Sequence, residues 1–206
     1  MKTDATTHWN SVYRTKRADE VSWFQRDPAL SRTLIGRAVP DRSARIIDVG
    51  GGASSLVDVL LADGYTAVTV LDIAASALDQ ARARLGGTAR LANWLVADVL
   101  SADLPDGGFD LWHDRAVFHF MTDARARTVY VAQMHRALGP GGHVVIATFA
   151  EDGPTSCSGL PVARYSEADL ARELGEHFEL RDSAREQHTT PGGKRQSFVY
   201  ARFRRV

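Results

Sequence analysis

The fold of this chain is decided by the stretch IIDVGGGAS, residues 46–54. It begins with a short β-branched run and ends in glycines, after which Leu56, Leu60 and Leu61 follow at helical spacing. Glycine permits a tight turn and a close approach of the backbone to a ligand. The pattern predicts a strand, a tight turn and a helix. Taken alone, it fits an ordinary strand–helix turn as well as a ligand-binding loop.

The alternation of strand and helix continues on the C-terminal side of this stretch. An amphipathic helix is predicted over 123–138, and short β-rich runs are found at 67–72, 93–98, 109–113 and 143–149. Strands that alternate with helices indicate an α/β fold with a largely parallel sheet. We expect a doubly wound, seven-stranded, Rossmann-like sheet with helices on both of its faces.

The N-terminal segment, residues 1–40, is predicted to form a helical lid. Trp9 and Tyr13 are four residues apart, as one face of a helix would place them. Asp27 and Pro28 fit the N-cap and the first position of a second helix.

The C-terminal segment, residues 151–206, is predicted to hold a substrate-side loop, a helix and two strands. Ser166 has the position of a helix N-cap. The runs 178–185 and 196–203 are separated by a turn that contains Pro-Gly-Gly, which is typical of an antiparallel hairpin.

Length and composition describe an ordinary globular domain. The chain has 206 residues, so we expect a single domain, 1–206, with its core at 41–150. The 25 basic and 25 acidic residues cancel, whereas proteins that coat nucleic acid carry a basic excess. No run approaches about 20 apolar residues, and no signal peptide is apparent. We therefore expect a cytoplasmic protein with neither a nucleic-acid partner nor a membrane partner.

The sequence does not predict a metal site. A single cysteine, Cys157, excludes a disulfide framework and a zinc site built from cysteines. The seven histidines show no metal-ligand spacing.

Acidic residues stand at three predicted strand ends. Asp48 precedes the glycines, Asp72 ends the second strand and Asp98 ends the third. Ligands of an open parallel sheet bind beyond the carboxyl ends of its strands, and a carboxylate there can accept the hydroxyl protons of a ribose. Together with the glycine turn, these residues favour a nucleoside site, although Asp72 alone would fit a helix cap.

A nicotinamide dehydrogenase is the main rival interpretation, because it binds ribose in the same way. Its fingerprint, Gly-x-Gly-x-x-Gly, requires a glycine where this sequence has Ser55. A phosphate-binding P-loop is excluded, because the sequence contains no Gly-Lys-Ser/Thr.

Five stretches carry a resemblance to a known family. They are IIDVGGGASSL (46–56), LDI (71–73), VADV (96–99), FDLWHDRAVFHF (109–120) and LGPGGHVVIATF (138–149). Together they resemble the class I S-adenosylmethionine-dependent methyltransferases over most of residues 44–150. The sequence departs from the family at Ser54, where many members have a third glycine. The resemblance implies S-adenosylmethionine as the cofactor and a reversed last strand.

The resemblance also implies which residues hold the cofactor. The methionine part would lie against Asp48 and the glycine loop, and the ribose would bind Asp72. The adenine would pack on Ile73, with its amine edge at Asp98 and Val99. The implied cofactor-binding residues are Trp9, Tyr13, Asp48, Gly50, Gly51, Gly52, Asp72, Ile73, Asp98, Val99 and His113.

The segment HWNSVYRTKRADEVSWFQRDP (8–28) is similar to the N-terminal part of a subgroup with trans-aconitate-like and lysine-directed methyltransferases. In that subgroup an N-terminal helix with Trp and Tyr closes over the cofactor. The resemblance implies that the lid residues are Trp9, Tyr13, Trp23, Phe24 and Gln25. For Trp23 and Phe24, the underside of a structural helix is an equally good interpretation.

Methyl transfer from a sulfonium is an in-line displacement that needs proximity, alignment and a dry pocket. A base is needed only when the nucleophile arrives protonated, and the candidates are Asp114, His119 and Tyr13. We expect methyl transfer to an oxygen or nitrogen of a small molecule. A protein-lysine acceptor and a cofactor-binding protein without catalysis are the alternatives, and the oligomeric state is not predicted.

Overall fold

A seven-stranded sheet forms the middle layer of the computed structural model, which describes residues 4–206. In chain order the strands are β1 (Arg45–Val49), β2 (Ala67–Asp72), β3 (Ala92–Val96), β4 (Phe109–Arg115), β5 (Leu138–Phe149), β6 (Ser156–Cys157), β7 (Leu160–Pro161), β8 (Phe178–Thr189) and β9 (Arg195–Arg205). The order across the sheet is β3-β2-β1-β4-β5-β9-β8, and β6 pairs with β7 in a separate small hairpin. In this sheet β9 runs in the direction opposite to that of the other six strands. The predicted sheet, with its antiparallel C-terminal hairpin, is confirmed.

Helices cover both faces of the sheet. They are α1 (Ala5–Thr15), α2 (Ala29–Ala38), α3 (Leu56–Ala62), α4 (Ala75–Leu85), α5 (Ala124–Ala137) and α6 (Glu167–Leu174). Successive side chains of a strand point to opposite faces. Accordingly, Ile46 packs with Leu34, Leu60 and Leu78 of helices α2, α3 and α4, whereas Ile47 packs in a second core with helices α5 and α6.

Several predicted element bounds differ from the structure, and two of the differences change the expected position of a named residue. Pro28 is the N-cap of α2 and not its first residue, and no side chain caps this helix end, so the predicted capping role of Asp27 is wrong. The backbone N–H of Arg32 donates to the carbonyl of Pro28 at 2.9 Å, which fixes the start of the helix. Strand β3 ends at Val96, so Asp98 lies two residues beyond the strand.

Within residues 4–206, none of the helices is both long enough and apolar enough to cross a membrane. In the same part of the chain, no three His, Cys, Asp or Glu side chains are grouped so that they could hold a metal ion.

Candidate functional site

A cavity of about 520 Å³ opens at the carboxyl ends of β1 to β4. Its volume lies within the range of small-molecule pockets, about 300–1,000 Å³. Its walls are contributed by helix α1, the ends of the first three strands, the turn after β4 and the β6–β7 hairpin. A second cavity of about 40 Å³ lies beside it, and the two share the wall residues Tyr13, Trp23, Val49, Gly50 and Arg115. The site therefore has a large compartment and a small adjoining one.

The glycine loop adjoins both compartments, and its tight path requires glycine. Gly50 has a φ of 66°, and a Cβ there would collide with the side chain of Val117. A Cβ on Gly51 would collide with Oδ2 of Asp48. The missing side chains leave the loop backbone accessible to a ligand.

Asp48 is buried beneath this loop and is held from behind by two residues. Its Oδ1 atom lies 2.7 Å from Nδ1 of His113, and Nε2 of His113 lies 2.9 Å from Oγ of Ser31 in α2. Its Oδ2 atom is buried and has no hydrogen-bond partner among residues 4–206. A buried, unpaired carboxylate oxygen is costly, which makes Oδ2 a candidate contact for a ligand. All three residues line the small compartment.

No pattern in the sequence distinguishes Ser31, one of several polar residues of α2. His113, one of the implied cofactor-binding residues, lies behind Asp48 on the wall of the small compartment.

Asp72 lies at the end of β2, on the wall of the large compartment. Its Oδ1 atom accepts a hydrogen bond from the backbone N–H of Ala74 at 2.8 Å. Burial raises the pKa of Asp72 to about 7, and the negative charge of Asp48 adds to this effect. A Cβ on Gly52 would approach Oδ2 of Asp72 to 2.9 Å, so the glycine loop and this carboxylate are neighbours.

The predicted adenine-binding residues line the same end of the large compartment. Ile73 follows Asp72 and is half-buried, and Val99 is buried. Asp98 is exposed, and its Oδ1 atom accepts from the backbone N–H of Leu100 at 2.9 Å. The structure thus brings together the residues that follow β2 and β3.

Aromatic residues of the N-terminal segment cover the site. The ring of Trp9 meets Trp23 edge to face, with centroids 5.7 Å apart, and meets Phe120 in the same way at 5.1 Å. Oη of Tyr13 accepts a hydrogen bond from Nε1 of Trp23 at 3.2 Å. Burial raises the pKa of Tyr13 well above its usual value, with a contribution from Asp72. Tyr13 is therefore a wall residue and is poorly suited to act as a base.

The same segment is attached firmly to the rest of the protein. Asn10 of α1 accepts from the backbone N–H of Ser76 at 3.2 Å, at the start of α4. Nε2 of Gln80 donates to the carbonyl of Tyr13 at 2.6 Å. Gln25, which lines the small compartment together with Phe24, donates from Nε2 to Glu186 in β8 at 3.0 Å. Residues 4–28 are thus both a structural element and a wall of the site.

Asp114 does not reach either compartment, contrary to its predicted role as a base. It is fully buried, and its oxygens accept from the backbone N–H groups of Val117 and Phe118 at 2.8 and 2.9 Å and from the hydroxyl of Tyr130. Burial raises the pKa of Asp114 to about 6, although these hydrogen bonds act in the opposite direction. The carboxylate shapes the turn after β4.

His119 is also placed away from the cavity walls. Its ring is fully buried between Phe120 and Phe149, with centroid distances of 4.5 and 4.7 Å. Within residues 4–206, neither ring nitrogen has a hydrogen-bond partner. Burial lowers the pKa of His119 to about 3, and the positive charge of Arg115 acts in the same direction. His119 therefore lines neither compartment, although it was predicted to be a base or a substrate contact.

Two residues of other elements complete the walls. Arg115 lines both compartments; its Nε donates to Oη of Tyr200 at 2.8 Å and its Nη1 to the carbonyl of Trp23 at 2.9 Å. Cys157, the single cysteine of the sequence, stands within the polar stretch 155–159. The structure places it in strand β6, buried on the wall of the large compartment, and burial raises the pKa of its thiol to about 11.

Comparisons with known proteins relate this chain to one family. A family model described as "Methyltransferase domain" matches residues 46–142. An uncharacterized methyltransferase of Mycobacterium tuberculosis is 32% identical over 116 residues, which are 56% of each chain. Nodulation protein S of Rhizobium tropici is 30% identical over 105 residues, 51% of this chain and 43% of that protein. The matches span about half the length of these curated relatives.

Solved structures share the whole architecture. The N-methyltransferase NodS from Bradyrhizobium japonicum, in complex with S-adenosylhomocysteine, has a TM-score of 0.70 and 20% identity, and the match covers 98% of this chain and 99% of that one. The 1,6-didemethyltoxoflavin-N1-methyltransferase of Burkholderia thailandensis has a TM-score of 0.73 and 21% identity, over 100% and 92%. At these identities, the likeness establishes the fold alone.

Proposed function

Because the chain belongs to the class I S-adenosylmethionine-dependent methyltransferases, we propose that it transfers a methyl group to an oxygen or nitrogen atom of a small molecule. The observation that carries this proposal is the glycine loop between two compartments. One contains the unpaired, buried Oδ2 of Asp48, and the other is lined by Asp72. A ligand with a polar amino-acid end and a ribose fits both.

The residues present suit the cofactor along its whole length. Asp48 would meet the ammonium of the methionine part, and Arg115 its carboxylate, because opposite charges attract strongly where water is excluded. Asp72 would accept the ribose hydroxyls, and Ile73 and Asp98 would hold the adenine. When bound, S-adenosylmethionine supplies an electrophilic methyl group on a sulfonium sulfur.

The protein's own contribution is alignment and the exclusion of water. Trp9, Trp23 and Phe120 form an aromatic cover over the large compartment. Covering elements of this kind keep water from the reacting atoms and hold them within reach of each other. Asp114 and His119 lie outside both compartments, and burial raises the pKa of Tyr13, so these three residues would support the reaction by shaping the site.

A small-molecule acceptor is supported by the names of the two structural neighbours, which are N-methyltransferases, one of them crystallised with 1,6-didemethyltoxoflavin. A protein-lysine acceptor is the second candidate, and the resemblance of residues 8–28 to a subgroup that includes lysine-directed enzymes favours it.

Calorimetry tests the proposed function directly. The protein should bind S-adenosylmethionine and S-adenosylhomocysteine saturably and should give no heat with NAD. Methyl-labelled cofactor should then transfer its label to a metabolite extract and not to a lysine-peptide panel. Saturation by NAD, with no heat from either sulfur nucleoside, would reverse the assignment. Label that appears only in lysine peptides would favour the second candidate.

A further inference from the structure

The large compartment has an apolar half, apart from the residues that follow β2 and β3. This half lies between α1, the turn after β4 and the β6–β7 hairpin. Trp9 and Phe120 meet there edge to face, and Met121, Leu160 and Pro161 complete the wall. The backbone N–H of residue 163 donates to the carbonyl of residue 119 at 2.8 Å, which ties the segment after the hairpin to the turn. This half, which we call the acceptor half, is therefore aromatic and largely apolar.

The charges of the compartment divide along the sheet. Its carboxylates, Asp72 and Asp98, follow β2 and β3, and β1 separates these strands from β4. Arg115 ends β4 and lines both compartments, and its Nη2 atom lies 3.5 Å from Oε2 of Glu186. An ammonium in the acceptor half would lose part of its hydration and would find no carboxylate among the described wall residues of that half, which is unfavourable. This distribution disfavours a lysine side chain.

His8 supplies a polar atom to this half. It lines the large compartment, and its Nε2 atom is buried without a hydrogen-bond partner among the described residues. Asn10 contacts Ser76 on α4. Two residues correspond to about 200° around a helix, so His8 lies on the flank of α1 opposite α4. Its ring meets that of Trp9 edge to face, with centroids 5.1 Å apart.

We infer that the methyl acceptor is an uncharged, planar aromatic compound whose hydroxyl or ring N–H group contacts Nε2 of His8. The inference rests on the proposed function. In the transfer, the lone pair of the acceptor's oxygen or nitrogen forms the bond to the methyl carbon, and the electrons of the carbon–sulfur bond pass to sulfur. The proton of the acceptor passes to Nε2 of His8 and then to water.

The inference can be tested without turnover by measuring how candidate acceptors bind to the protein saturated with S-adenosylhomocysteine. The probes are 2-naphthol and 7-hydroxycoumarin, the hydroxyl-free rings naphthalene and coumarin, and Nα-acetyl-lysine methylamide. Each hydroxy compound should bind at least fivefold more tightly than its hydroxyl-free ring, and the lysine derivative should not bind. The ¹⁵N resonance of His8 Nε2 should shift with 2-naphthol and not with naphthalene.

Substitutions assign the hydroxyl preference to His8. H8F should abolish the fivefold preference, and H8Q, which keeps a polar group, should retain part of it. His177 is exposed and directly precedes β8, and it lines neither compartment. H177F is therefore the matched control and should behave like the wild type. Melting curves verify that each variant is folded.

Each other outcome has a defined meaning. Tighter binding of the lysine derivative than of the aromatic probes would overturn the inference, as would failure of every aromatic probe to bind. If H8F still binds the hydroxy compounds more tightly than the hydroxyl-free rings, His8 does not contact the acceptor's hydroxyl. If S-adenosylhomocysteine itself does not bind, the proposed function fails, and the inference with it.

Discussion

The Nδ1 atom of His113 lies 2.7 Å from Oδ1 of Asp48, and this contact connects β4 to the acidic residue beneath the glycine loop. His113 is itself anchored at Nε2 by Ser31 of α2. One carboxylate oxygen is thus fixed from behind, and Oδ2 is left unpaired. A prearranged carboxylate avoids ordering costs when the ligand binds.

Weakening this anchor should affect one end of the cofactor only. Ser31→Ala removes the partner of His113 Nε2, and a buried hydrogen bond of this kind contributes about 1 kcal/mol. We expect roughly fivefold weaker binding of S-adenosylhomocysteine. Binding of 5′-methylthioadenosine, which lacks the amino-acid end, should be unchanged. Equal weakening of both ligands in calorimetry would show that Ser31 acts through the fold as a whole.

Cofactor affinity should depend on the protonation of Asp72. Its carboxylate must be ionised to accept two ribose hydroxyls, and burial raises its pKa to about 7 in the ligand-free protein. The affinity for S-adenosylhomocysteine should therefore fall about tenfold per pH unit below 7. Calorimetry between pH 5 and pH 8 measures this slope, and Asp72→Asn should remove it. A slope that persists in the variant would assign the titration to another group.

The same residue should lower the stability of the ligand-free protein at neutral pH. An unfolded aspartate releases its proton near pH 4, whereas the folded state holds it up to about pH 7. The folded state then binds more protons than the unfolded one, so stability falls as the pH rises between these values. Asp72→Asn should raise the melting temperature at pH 8 by roughly 5–10 °C. A lower melting temperature would contradict this sign.

Substitution of Asp114 should lower the free energy of unfolding, because this carboxylate holds the turn after β4 together. Asp114→Ala leaves two buried N–H groups and the hydroxyl of Tyr130 without their acceptor, at a cost of about 3 kcal/mol. Tyr130→Phe, which removes one partner, should cost less. Denaturant unfolding measures both. Unchanged stability with abolished turnover would restore Asp114 as a base.

The positions of the acidic strand ends were predictable because they follow from local patterns. Asp48 and Asp72 end β-rich runs, and the carboxyl ends of parallel strands meet at one edge of a sheet. At β4, neighbouring positions in the sequence did not predict neighbouring side chains in the structure. His113 and Asp114 are neighbours in sequence, but strand side chains alternate, so one meets Asp48 and the other meets Tyr130 on the opposite face.

Contacts between distant segments could not be predicted. Ser31 and His113 are 82 residues apart, and no local pattern distinguishes this serine from others. His119 stands near the end of β4, as a catalytic residue would, yet it is enclosed by Phe149 of the next strand. The hairpin of β6 and β7 forms from a polar stretch that shows no strand pattern. Its apolar residues Cys157 and Leu160 pair with each other across the hairpin.

The burial of His119 has a consequence opposite to that expected of a catalytic base. A neutral imidazole whose nitrogens have no partner among residues 4–206 gains nothing from its polarity. His119→Phe should keep the cofactor affinity and leave stability unchanged or up to about 1 kcal/mol higher. Calorimetry and denaturant unfolding give the two values. A large loss of affinity at unchanged stability would return His119 to the site.

The predicted lid can be separated from an ordinary structural helix by comparing two tyrosines. Tyr13→Phe keeps the ring and removes the acceptor of the Trp23 indole N–H on the wall of the site. Tyr65→Phe removes a buried hydrogen bond of 2.8 Å to the carbonyl of Val39, far from both compartments. Each loss should cost about 1 kcal/mol of stability. The two variants should therefore have similar melting temperatures.

Only Tyr13→Phe should also loosen the cofactor, because the released Trp23 no longer fixes the aromatic cover. We expect roughly fivefold weaker binding of S-adenosylhomocysteine and faster proteolysis near residues 16–20, with neither change in Tyr65→Phe. Deletion of residues 1–26 should weaken the binding of S-adenosylhomocysteine further. It removes the cover together with the contact between Asn10 and Ser76, so both the cofactor affinity and the melting temperature should fall. If the two tyrosine variants bind the cofactor equally well, the hydroxyl of Tyr13 has no part in closure. Residues 4–28 would then be a structural helix and strap that happen to line the site.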